Sequence, residues 1–145
     1  MAFDFSKYLV VGISSRALFD LSKENKIFEE EGVDAYTDYQ IAHEETALEP
    51  GIGFSLIRGL LRLNELSGDE RKIEVVIMSR NNPDTMLRIS HSIDHYGLDI
   101  TRAALTGGTS IVPYLSAFRV ALFLSADGAD VQDAIIANVR SGLLY

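Results

Sequence analysis

The chain has 145 residues, 47% of them hydrophobic and 23% charged, a balance that supports one ordinary core and excludes a disordered or collagen-like polymer. A formal charge of −8 excludes the concentrated basic surface that a nucleic-acid backbone requires, but leaves room for a small anion held by a few local donors. Cysteine is absent, which excludes disulfides, thiolate metal sites and a cysteine nucleophile, and arginines break every apolar stretch well short of a membrane span. A single domain over 1–145 is expected, cytoplasmic, without a signal peptide, membrane span or polynucleotide partner.

Tyr8 to Ile13 is a short run rich in β-branched residues and reads as a buried strand, ending in Ser14-Ser15-Arg16. The stretch from Ser22 to Glu49 is acidic, with Glu24, Glu29, Glu30, Glu31, Asp34, Asp38, Glu44, Glu45 and Glu49 around Ile27, Phe28, Val33, Tyr36, Tyr39 and Ile41. It reads either as an inserted acidic helical lid or as a solvated hairpin that merely covers the first crossover. From Pro50 to Leu66, Phe54, Ile57, Leu60, Leu61 and Leu63 recur at helical spacing. A second strand, Ile73 to Met78, runs into Ser79-Arg80-Asn81-Asn82.

Pro83 to Tyr96 is the next helix, with Asn81 or Asn82 as cap, Pro83 at the first position and Gly97 as terminator. Arg102 to Thr106 is a third strand and leads into Gly107-Gly108-Thr109, followed by a helix from Ser110 to Phe118 whose Pro113 must sit near its start. Val120 to Leu124 is a fourth strand, ending in Ser125-Ala126-Asp127-Gly128, and Val131 to Val139 a last helix. Strands alternating with helices of this length predict an α/β fold with a doubly wound, mostly parallel sheet.

In such sheets ligands bind beyond the carboxyl ends of the strands. Ser14, Ser15, Arg16, Ser79, Arg80, Asn81, Thr106, Gly107 and Gly108 would converge there, a set of hydroxyls, amides, arginines and glycines suited to phosphate. The same residue types also serve as ordinary turns and caps. Asp20, Asp127 and Asp130 are the carboxylates nearest strand ends, either as cation ligands or as helix caps. His91 and His95 lie four apart but lack the glutamate of a His-Glu-x-x-His zinc motif, so the solvent edge of a helix is the reading, and His43 has no visible catalytic partner. Neither a P-loop nor a serine-hydrolase elbow occurs, and Gly107-Gly108 alone makes no dinucleotide fingerprint.

Val11-Gly12-Ile13-Ser14-Ser15-Arg16-Ala17-Leu18-Phe19-Asp20, Asn25 to Gly32, His95-Tyr96-Gly97-Leu98-Asp99-Ile100, Leu105-Thr106-Gly107-Gly108 and Leu122 to Asp127 together resemble the cytosolic 5′-nucleotidase I family, and the likeness runs from Lys7 to Tyr145. The resemblance implies a haloacid-dehalogenase-like fold and Mg2+-dependent hydrolysis of nucleoside 5′-monophosphates through a phosphorylated aspartate. It covers the amino-terminal half of the family pattern, and the Asp-Gly-Asp-Ala-type nucleophile motif belongs to the other half. Within this half, Ser14-Ser15-Arg16 occupies the region where two aspartates are expected, Ser79 agrees with the expected Ser or Thr, Asp127 stands for a metal ligand, and Ser116 takes the place of a lysine.

The expected function is therefore a nucleotide- or phosphate-binding or assembly module with weak or no catalysis. Two alternatives remain: a Mg2+-dependent 5′-nucleotidase completed by oligomerisation, drawing acid groups from Asp20, Asp127 or a partner subunit, and a structural partner of a separate catalytic half.

Overall fold

The computed structural model describes residues 3–81 and 85–145. After a short 3-10 turn at Phe5–Lys7, the elements are β1 (Leu9–Ile13), α1 (Ser15–Leu18), β2 (Phe19–Asp20), α2 (Ser22–Glu31), α3 (Val33–Ala42), β3 (Glu49–Pro50), α4 (Phe54–Leu66), β4 (Ile73–Ser79), α5 (Met86–His95), β5 (Arg102–Leu105), α6 (Val112–Ala117), β6 (Leu122–Ser125), α7 (Gly128–Ile136) and β7 (Ser141–Leu143). The main sheet has the order β5-β4-β1-β6-β7, and all four of its pairings are parallel. The chain builds outward from β1 to β4 and β5, then returns to the other side of β1 for β6 and β7. The direction of winding therefore reverses between β1 and β6, where a doubly wound sheet opens a crevice at its carboxyl edge.

Successive strand residues point to opposite faces, so each strand feeds two cores. Val11, Ile13, Val75 and Ile77 pack with Phe54, Ile57 and Leu61 of α4 and Ile89 and Ile93 of α5 on one face. Val10, Val76, Met78 and Phe123 pack with Leu115 of α6 and Ala134 of α7 on the other. Burial on both sides explains why β1 and β4 read as continuous apolar runs rather than alternating ones. No helix among the described residues is long and apolar enough to cross a membrane.

The helix boundaries shift from expectation for local reasons. Pro50 does not open α4: it pairs with Phe19 in a two-stranded antiparallel sheet of β2 and β3, and the helix starts at Phe54. Gly51 is needed at that junction, because a Cβ there would lie 2.7 Å from the Phe19 carbonyl carbon and 2.8 Å from the Ala17 oxygen. Asn81 does not cap α5, whose described N-cap is Thr85 without a side-chain cap bond, and the capping roles of Asn82 and Pro83 fall outside the described residues. The other end of α5 is as expected: Gly97 takes φ +64°, and Leu98 N–H donates to the Ile93 carbonyl at 3.0 Å, closing a Schellman turn. Pro113 sits in the first turn of α6. The last helix begins at Gly128 rather than Val131, because Asp127 caps it with bonds to the N–H groups of Ala129 and Asp130. It ends at Ile136, which frees residues 141–143 to form a fifth strand that the sequence pattern does not announce.

Candidate functional site

Beyond the carboxyl ends of β1, β4 and β6 lies a cavity of about 550 Å³. Its floor is polar and comes from the strand ends: Ser14, Ser15, Arg16, Ser79, Arg80 and Asn81, with Ser125, Asp127 and Asp130 on the β6 side and Gly107 and Gly108 beyond β5. Of the nine residues that the sequence offers as a phosphate site, from Ser14 to Gly108, Thr106 alone does not line it. Its hydroxyl turns back on its own loop, donating to the Thr109 carbonyl at 2.6 Å. Asp20 lies elsewhere, accepting the Ser22 N–H at 3.0 Å. His91 and His95 are exposed on α5, and Ser116 is exposed on α6. His43 stacks on Tyr39 with ring centres 4.0 Å apart.

Arranged around β1, the serines form a set of hydroxyls that accept from the protein and keep donors to spare. Ser15 Oγ and Ser79 Oγ are 3.0 Å apart, Asn81 Nδ2 donates to Ser15 Oγ at 3.0 Å, and the Asn81 N–H donates to Ser79 Oγ at 3.1 Å. One hydroxyl hydrogen joins the two serines, and the second has no acceptor among the described residues. Ser14 Oγ accepts from the N–H groups of Ala17 and Ala126, at 3.2 and 3.4 Å, and Ser125 Oγ accepts from that of Asp127 at 3.0 Å. Neither Ser14 nor Ser125 spends its hydrogen on a described residue. Ser15, Ser79 and Ser125 are buried, so unspent donors there favour a ligand rich in acceptors.

The two arginines differ in state. Arg16 is exposed at the cavity wall, and its guanidinium has no hydrogen bond or ion pair among the described residues. Arg80 is held: Nη2 donates to Asp127 Oδ2 at 3.2 Å, and Nε lies 3.2 Å from Asp130 Oδ1. Burial raises the pKa of Asp130, with Arg80 opposing the shift and Asp127 and Asp133 adding to it. The glycines contribute shape rather than donors, since Gly107 N–H bonds the Asn81 carbonyl and Gly108 N–H the Arg80 carbonyl, at 3.2 and 2.8 Å. Both have positive φ, +61° and +100°, which lets the loop fold down onto the end of β4.

The opposite wall is apolar. Leu21, Phe28 of α2, and Val33 and Tyr36 of α3 face the serine floor, with Asn25 beside them. Phe28 and Tyr36 meet edge to face at 5.8 Å. A buried polar knot fixes this helical pair to α5: Arg88 Nη1 donates to Glu24 Oε1 at 2.6 Å and to Gln40 Oε1 at 3.0 Å, and Arg88 Nε donates to the Thr46 carbonyl at 3.0 Å. Gln40 Nε2 in turn donates to the Tyr36 hydroxyl at 3.3 Å. The segment reads as acidic in the sequence, but the side chains it turns to the cavity are mostly apolar, and only the tertiary fold brings them over the strand ends.

The donor set is a poor match for the magnesium that the family resemblance implies. Asp127 uses Oδ1 to cap α7, at 2.9 and 3.1 Å from two N–H groups, and Oδ2 to hold Arg80. An ion between Asp127 and Asp130 would meet the guanidinium already there, and among the described residues no three His, Asp, Glu or Cys side chains are grouped to hold a metal.

A family model described as 5′-nucleotidase matches residues 1–145. Human cytosolic 5′-nucleotidase 1B is 35% identical over 142 residues, covering 94% of this chain and 23% of that protein. The chain thus spans under a quarter of the length of the curated relative it matches. No solved structure matches.

Proposed function

The chain belongs to the 5′-nucleotidase family, and from that premise we propose that its strand-end cavity binds the phosphate of a nucleoside 5′-monophosphate, with little or no hydrolysis by this chain alone. The observation that carries the reading is the group of buried serine hydroxyls at the point where the sheet's winding reverses, with donors that, like the guanidinium of Arg16 beside them, are not all spent on the described residues. A phosphate supplies the acceptors these groups lack. Helices α2 and α3 act as a lid whose apolar wall receives the nucleoside. The setting is cytoplasmic, in keeping with a relative named cytosolic.

The weak catalysis in this reading is supported by how the described carboxylates of the cavity are committed. Phosphoryl transfer through a covalent intermediate needs a free carboxylate aimed at phosphorus. Asp127 and Asp130 are both turned onto Arg80, and among the described residues the serines have no base to activate them. The test is a thermal-shift titration with nucleoside monophosphates and inorganic phosphate. A rise in melting temperature that Arg16→Ala removes supports the site, and no rise at millimolar ligand overturns it. Magnesium-dependent phosphate release that Asp127→Asn abolishes would replace the reading with an active enzyme.

A second reading, docking to a separate catalytic half or to a second copy, is favoured by one observation. Ile135, Ile136, Leu143 and Tyr145 are exposed near β7, whose outer edge pairs with no strand among the described residues. Light scattering of the purified chain, alone and after co-expression with a catalytic half, tests it.

A further inference from the structure

Arg80 occupies the space between the two carboxylates that would otherwise be the natural seat for a cation in this cavity. Its Nη2 and Nε engage Asp127 and Asp130, both at 3.2 Å, while Nη1 has no partner among the described residues. A guanidinium has five N–H donors in a rigid plane, so a fork anchored along one edge still offers donors along the other. Arg80 itself is half-exposed on the cavity wall, within the same cavity as Ser79, Asn81 and Ser15. Two carboxylates facing an incoming phosphate would repel it, and Arg80 together with Arg16 offsets both charges.

Resting on the phosphate-site reading above, we infer that Arg80 performs in this cavity the bridging role of a divalent cation, holding Asp127 and Asp130 with one edge and a phosphate oxygen with the other, so that ligand binding needs no metal. The difference from a metal site is testable because a guanidinium cannot be chelated away and stays charged throughout the usual pH range.

The experiment is calorimetric titration of the wild-type chain with inorganic phosphate and with adenosine 5′-monophosphate, once in EDTA and once in excess magnesium. Equal affinities in both buffers are expected, with Arg80→Gln weakening both ligands by about tenfold or more, the usual scale for a lost charge-assisted hydrogen bond. Manganese added to the wild-type chain, followed by the electron paramagnetic resonance of the free ion, should show no depletion of the signal. This measurement does not depend on any variant folding. Binding that appears only with magnesium, or manganese capture by the wild-type chain that Asp127→Asn abolishes, overturns the inference while leaving the phosphate site standing. No binding of either ligand in either buffer overturns the phosphate site and this inference together.

Discussion

Arg88 and Glu24 meet at 2.6 Å in the protein interior, and this one contact ties α5, on the sheet, to α2, over the cavity. Both side chains are almost wholly buried, with 6% and 5% exposure, so neither charge has water to fall back on. Gln40 and the Thr46 carbonyl complete the arginine's partners, which is what makes a buried charge tolerable. Replacing one partner strands the other: Arg88→Met or Glu24→Leu should each cost about 3–5 kcal/mol in urea unfolding. The double replacement should cost much less than the sum. Additive losses would show that the pair does not act as a unit.

Two glycines separate steric need from mere composition. A Cβ at Gly51 would collide with the backbone of Phe19 and Ala17, which cannot step aside, so Gly51→Ala should destabilise by about 1–3 kcal/mol. Gly59 lies within α4 with nothing inside 4 Å of an added Cβ. Gly59→Ala should therefore stabilise by about 0.4–1 kcal/mol, through helix propensity and a less flexible unfolded chain. Denaturation midpoints of the two variants should move in opposite directions.

The sheet was legible because burial on both faces leaves its mark in the chain: Val10, Val11 and Ile13, and Ile73 to Met78, could hardly be anything but interior strands. The last strand was not, since Ser141-Gly142-Leu143 has neither β-branched residues nor alternation and is a strand only because β6 offers it an edge. At the candidate site, the strand-end rule picks out the serines and arginines that line the cavity, because position after a strand is a property of sequence order. The commitments of those residues were not visible. Nothing local says that Arg80 is clamped by Asp127 and Asp130, 47 positions or more away, or that Phe28 and Tyr36 close the cavity from above.

Asp130 gives a pH signature. Burial raises its pKa in the folded chain, so between the ordinary aspartate range, near pH 4, and that raised value the unfolded chain releases a proton that the folded chain keeps. Its contribution to stability is thus present below the ordinary value and is lost as pH rises through the folded one. Relative to Asp130→Asn, the wild-type chain should lose unfolding free energy as pH climbs from about 4 through the raised folded value. Asp4 and Asp20, whose pKa values are lowered by bonds from Ser6 and Ser22, act in the opposite sense but are common to both proteins and cancel in the difference. Parallel stability curves for the two proteins would contradict the assignment.

The lid's apolar wall should distinguish a nucleotide from bare phosphate. On the proposed reading, phosphate would need only the serine floor and the arginines, whereas a nucleoside attached to it would extend toward Leu21, Phe28, Val33 and Tyr36. Phe28 is 48% exposed, which leaves its ring accessible from the cavity, and its edge-to-face contact with Tyr36 holds the ring in place. A base stacked on an aromatic ring is worth about 1–3 kcal/mol by alanine substitution. Phe28→Ala should accordingly weaken nucleoside monophosphate by about fivefold or more and leave inorganic phosphate unchanged. Arg16→Ala should weaken both ligands alike, because its guanidinium would be shared by any oxyanion on the floor. Calorimetry of the two variants against the two ligands separates wall from floor. Equal losses of both ligands on Phe28→Ala would mean that the ring supports the fold of the lid and does not touch the nucleoside.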